Sequence, residues 1–111
     1  MTNTITKEEL NVKALKKFIE AEIEDMKSNL NFAHNDMRKN HDHDAEWWRD
    51  WCLKSIRRSE ERAFGSMLYM NCFAHELDDY TFGMLSDVVR DARAEEESKV
   101  WQWYYQVLEN E

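Results

Sequence analysis

The chain has no proline and only two glycines, Gly65 and Gly83, among 111 residues. Tight turns depend heavily on these two residue types, which supply fixed or positive φ. An all-β fold and a doubly wound α/β fold both need many such turns, so neither fits. Long apolar runs are missing too: nothing approaches the ~20 residues of a membrane span. The N-terminus, MTNTITKEEL, lacks the charged-then-apolar order of a secretory signal. A cytoplasmic protein is therefore expected. Basic residues are in short supply, 15 against 23 acidic, for a formal charge of −8. A general nucleic-acid binder carries a basic face, and anionic lipid attracts one, so direct binding to nucleic acid or membrane is not expected.

Cysteine is scarce as well, with Cys52 and Cys72 alone. Twenty residues apart on one helix, they would stand roughly 30 Å from each other at ~1.5 Å rise per residue. A disulfide needs Cα atoms within ~7 Å. Both are expected to be reduced, partly buried thiols. His75 lies one helical turn beyond Cys72, but no third group marks the pair as catalytic.

What the chain does contain is charge (34%) and aromatic rings (13%), with Glu, Lys, Arg, Leu and Met common. That mixture reads as long amphipathic helices. After a flexible N-terminus of residues 1–6, a single helical domain is expected over 7–111. Thr6 and Glu9 form a capping box. Apolar residues then recur at Leu15, Ile19, Ile23, Met26, Leu30, Ala33 and Met37 with near-heptad spacing. This predicts a first helix over 7–39, with Phe18 widening its stripe and Glu20, Glu22, Glu24 and Asp25 facing solvent. Asp44 is placed to cap a second helix, whose stripe is Trp48, Cys52, Ile56, Ala63, Met67, Met70 and Ala74. A turn is expected at 78–81, capped by Asp79 or Thr81. The third helix carries Leu85, Val89, Ala92, Val100, Trp103 and Val107 inward and ends near Leu108. The fold class is all-α: an antiparallel bundle of three long helices, which a second copy could complete. A homo-oligomer is expected.

Antiparallel packing would bring the start of the second helix beside the end of the third. Trp47, Trp48 and Trp51 would then meet Trp101, Trp103, Tyr104 and Tyr105, and His34, His41 and His43 would join them. Trp and Tyr dominate binding hot spots. Neighbours such as Trp47 and Trp48, or Tyr104 and Tyr105, diverge by ~100° and cannot both face one core. The candidate partner-binding residues are Trp47, Trp48, Trp51, Trp101, Tyr104 and Tyr105. Glu20, Glu24, Glu95, Glu96 and Glu97 make the candidate acidic surface.

His41 and His43, beside Asp42 and Asp44, are the candidate metal ligands. There is no HExxH and no paired ExxH, so neither metal nor cofactor is expected. All-α nucleotide hydrolases hold Mg²⁺ on helix-borne carboxylates. Here Glu20, Glu24, Glu60, Glu61, Glu76 and Asp79 are the candidates, without that family's paired acidic motifs. DNA mimicry would need a charge every ~1.7 Å of axis, a density that 15 cations dilute. Arg57, Arg58 and Arg62 should instead pair with acidic residues of the outer helices.

The reading that follows is a small acidic protein-binding module. In size and charge it resembles the small inhibitors that phages use against host nucleases or defence complexes. Its partner would be a protein target, such as a nucleic-acid-binding complex, blocked sterically. The alternative is a metal-dependent all-α nucleotide hydrolase.

Overall fold

The computed structural model describes residues 5–39 and 43–110. Three long helices make up the described chain: α1, Lys7–Lys39; α2, Ala45–Leu68; and α3, Asp79–Glu109. They form the expected three-helix bundle, with no strand among the described residues. No helix among them is long and apolar enough to cross a membrane. Residues 1–4 of the expected flexible segment lie outside the described residues.

The helix starts are local events. Thr6 Oγ1 accepts the Glu9 amide at 3.1 Å, and Asp44 Oδ1 accepts the Trp47 amide at 2.9 Å. Each bond satisfies one of the amides that a helix start leaves open. Asp44→Ala should therefore lower stability by ~1 kcal/mol. Urea unfolding would read this as a shifted midpoint with an unchanged slope; no shift would mean that the cap is dispensable.

The α2–α3 turn departs from expectation. α2 continues through a π-helical turn, Tyr69–Phe73, closed by the Ala74 amide on the Tyr69 carbonyl at 3.0 Å. His75 then takes a positive φ of 55°, a left-handed conformation that His tolerates better than most residues. It directs the chain back so that the Glu76 and Leu77 amides both reach the Met70 carbonyl. The α3 cap is Asp78, not Asp79 or Thr81. Its carboxylate takes both the Thr81 amide (2.9 Å) and the Thr81 hydroxyl (2.6 Å). Those two bonds hold the Asp78 carboxyl below its ordinary range, hydroxyl first. Asp79 instead accepts from the Asn71 side chain at 2.9 Å. Neither glycine makes a turn: Gly65 lies inside α2 and Gly83 inside α3.

The molecule measures 63 × 25 × 20 Å. α2 packs against both other helices, which also touch each other. The core joins Leu15, Ile19, Met26 and Ala33 of α1 to Trp48, Cys52, Ile56, Ala63 and Met67 of α2. Leu85, Val89, Val100 and Trp103 close it from α3. Two expectations for α1 fail. Phe18 stays 38% exposed, because Ile19, ~100° further round, takes the inward place. Glu22 is buried rather than solvent-facing, its carboxylate held by Arg62 of α2 at 2.9 Å.

Candidate functional site

The candidate site is the end of the bundle where α1 finishes, α2 begins and α3 finishes. Eight of the chain's aromatic rings gather there by capping and helix phase. Asp44 starts α2 so that Trp48 falls on the buried stripe, leaving Trp47 41% exposed and Trp51 partly buried. Phe32 of α1 meets Trp51 at 5.4 Å and Trp48 at 6.2 Å between ring centroids. His43 stacks on Trp47 at 3.6 Å with the rings only 7° from parallel. Trp48 is enclosed, and its Nε1–H has no partner among the described residues.

On α3, Trp103 turns inward against His34 at 5.3 Å. Tyr105 is 56% exposed and Trp101 37% exposed, their rings 5.8 Å apart. Arg49 lies over both Tyr104 (4.6 Å) and Trp101 (5.0 Å). Its guanidinium also holds Asp50 at 2.9 Å, and that hydrogen bond, first among its partners, raises its pKa.

Arg49 follows Trp47 by two residues, a rotation of ~200° about α2. The side chain that meets α3 therefore points away from Trp47. The expected aromatic end is in fact two patches on opposite flanks. Trp47, Trp48 and Trp51 belong with Phe32 and His43 on the α1 side, and Trp101, Tyr104 and Tyr105 with Arg49 on the α3 side. No ring contact joins Trp47, Trp48 or Trp51 to Trp101, Tyr104 or Tyr105 among the described residues. Trp48, at 4% exposure, is a core residue and offers no contact surface.

Known proteins add no guide here. The chain matches no family model, no curated protein and no solved structure.

The acidic surface is also rearranged. Glu20, Glu24 and Glu95 are exposed. Glu96 is buried beside Lys99 at 3.0 Å, and Glu97 is held by Arg57 (3.1 Å) and Arg93 (3.4 Å). Three successive helical residues span ~200°, so they cannot all face solvent. Arg93 also takes Glu60 at 2.9 Å. Of the three α2 arginines expected to pair with the outer helices, Arg62 pairs toward α1 and Arg57 toward α3. Arg58 has no partner among the described residues.

On the outer half of α3, Trp101, Tyr105 and Glu95 are exposed as expected, and Leu108 joins them near the end. What the sequence reading missed is the rest of that face: Tyr80, Met84 and Val88 near its start, with Asp87 and Asp91, all exposed. The three-and-four spacing of Tyr80, Met84 and Val88 is a signal, masked because Leu85 and Val89 sit next to Met84 and Val88 and the buried stripe absorbs them.

Of the candidate metal ligands, His41 lies outside the described residues and His43 is the ring stacked on Trp47. No group of three His, Cys, Asp or Glu side chains suited to a metal gathers among the described residues. The hydrolase carboxylates are dispersed: Glu60 on Arg93, Glu76 accepting from Asn11 at 2.6 Å, Asp79 on Asn71, and Glu20, Glu24 and Glu61 exposed.

The cysteines differ from each other. Cys52 is buried, and burial pushes its thiol pKa up to about 12. Cys72 is exposed, not partly buried, since the π-helical turn carries it off the core stripe. Thiolate is the reactive form. At pH 8, iodoacetamide should modify Cys72 and reach Cys52 only after denaturation, as read by peptide mass spectrometry. Equal rates would contradict the buried position. An unfolded thiol ionises near ~8.5. Cys52 therefore stabilises the fold fully below that pH, and the contribution is lost as pH rises toward its folded value of about 12.

Proposed function

We propose that the protein acts as a small acidic protein-binding module whose contact surface is the outer half of α3. The observation that carries this reading is one helix half bearing exposed apolar residues at both ends and three exposed carboxylates between them. Large exposed aromatics are costly to leave in water and favoured as interface anchors. Asp87, Asp91 and Glu95 suit a basic target surface, such as one that otherwise holds nucleic acid. Occupying that surface would block it sterically, as a phage-type inhibitor of a host nuclease or defence complex would. Complementary charge would speed encounter more than it would set affinity. The dispersed carboxylates give the hydrolase reading no comparable support.

The test is affinity capture from host-cell lysate with two baits, wild type and Trp101→Ala/Tyr105→Ala. A nuclease or nucleoprotein held by the first and lost by the second supports the proposal. Identical captures would remove α3 from the contact. Self-association is the competing use of the same face, and light scattering of both proteins decides it: a wild-type dimer that becomes a monomer in the variant would replace the inhibitor reading.

A further inference from the structure

Two neighbouring cavities, of about 250 and about 300 Å³, lie along α2: the first in its groove against α1, the second on the face of α2 itself. Ligand pockets run from ~300 to 1,000 Å³, so together they reach the size that holds a small molecule. Arg58 lines both. The first cavity is polar, with Asn29, Ser55, Ser59 and Arg62 around Arg58. The second is walled by Trp47 and Trp51, with Lys54 at its edge.

The state of the arginines is informative. Arg49, Arg57, Arg62 and Arg93 each hold a carboxylate, and Arg90 lies over Phe64 at 5.3 Å. Arg58 alone, of the arginines with described side chains, has no such partner. Lys54, also without an ion pair among the described residues, lies beside it at the indole rings. A guanidinium binds phosphate through charge-assisted, often bidentate hydrogen bonds, and indole faces stack on planar bases.

We propose that these two cavities bind a nucleotide, its phosphate at Arg58 and its base against Trp51 and the rim of Trp47, one face of which His43 covers. Ser55 and Asn29 supply hydrogen bonds on the phosphate side. Asp50 lines the aromatic cavity but is already neutralised by Arg49. Asp25 also lines the polar cavity, where its carboxylate repels a bare phosphate but can accept from ribose hydroxyls. That carboxylate favours a nucleotide over the free anion. The site lies on the other flank from the proposed α3 surface and does not depend on it.

The experiment is calorimetric titration of the full chain with AMP, GMP, CMP and UMP, and separately with inorganic phosphate and a short oligothymidylate, alongside tryptophan fluorescence. At least one nucleotide should saturate with a Kd below ~1 mM. Arg58→Gln should weaken it by about tenfold or more. That variant breaks no internal contact, so its circular dichroism should be unchanged. Arg57→Gln, on the α3 side, should bind as wild type does. Four results would overturn the site: no saturation by any nucleotide, unchanged affinity in Arg58→Gln, phosphate binding as tightly as the nucleotide, or tighter binding of the oligothymidylate. Intact nucleotide binding in Trp101→Ala/Tyr105→Ala would separate this site from the α3 surface.

Discussion

A Trp101→Ala/Tyr105→Ala variant is expected to bind its protein partner at least ~100-fold more weakly than wild type while keeping its helix content. Aromatic hot spots contribute ≥2 kcal/mol on truncation, and each 1.4 kcal/mol is tenfold in affinity. Two independent anchors would exceed ~100-fold. Trp101 and Tyr105 touch each other, with centroids 5.8 Å apart, so their effects will not add fully. The fold should survive because both side chains are exposed and neither belongs to the core. The internal losses are the stacking of Arg49 on Trp101, of order 0.5–1 kcal/mol at an exposed site, and the ring contacts of Trp101 and Tyr105 with Tyr104. Arg49 keeps Tyr104 and Asp50. Biolayer interferometry against the captured partner checks the affinity, and circular dichroism checks the helix content. An affinity within about threefold of wild type would place the contact elsewhere, with the Trp47 flank next in line.

The second large effect is on stability. Ile56→Ala should cost ~2–5 kcal/mol, the range for removing a fully buried branched side chain. Ile56 has 0% exposure and sits midway along α2, the helix that packs on both others. The resulting cavity is walled by two neighbouring helices, which limits collapse and argues for the upper half of that range. A domain of this size has ~5–15 kcal/mol in total, so the loss would be a large share. The urea midpoint should fall with little change in slope. Phe18→Ala, from a residue 38% exposed, is the natural comparison and should cost much less. If the two variants lost stability equally, the assignment of α2 as the central helix would fail.

The difference between these residues shows what could be read in advance. Ile56 lies on a stripe that three-and-four spacing makes visible, and so do Leu15, Ile19, Met26, Val89 and Val100. Spacing admits Phe18 to the same stripe, because it fixes which residues share a face, not how wide the buried face will be. That width depends on how closely the neighbouring helices approach. Glu22 shows the same limit more sharply. Its carboxylate is buried because Arg62, 40 residues away in sequence, reaches across from another helix. Nothing local to Glu22 announces that partner. Glu96 and Glu97 likewise left the expected acidic surface once α2 and Lys99 supplied their cations.

The aromatic end was half legible. Antiparallel topology correctly placed the start of α2 and the end of α3 together, and Arg49 lying on Tyr104 and Trp101 is the direct contact. Its division into two flanks could not be read, because it depends on the side of α2 that α3 occupies. The turn between them was misplaced for a different reason. Neither the π-helical turn nor the left-handed His75 has a sequence signal of the kind glycine or proline provides.

The sequence by itself determined the all-α class, the span of α1, the Asp44 cap of α2 and most of the core stripe. Each of these follows from interactions within about one helical turn of chain, where residue spacing is geometry. Only the tertiary structure decided that Trp48 is core while Trp47, Trp101 and Tyr105 are surface, and that Glu22 and Glu96 are buried. It also left Arg58 without a partner in the groove. A helix repeats every 3.6 residues wherever it sits, but which of its sides is covered is set by helices that are remote in sequence.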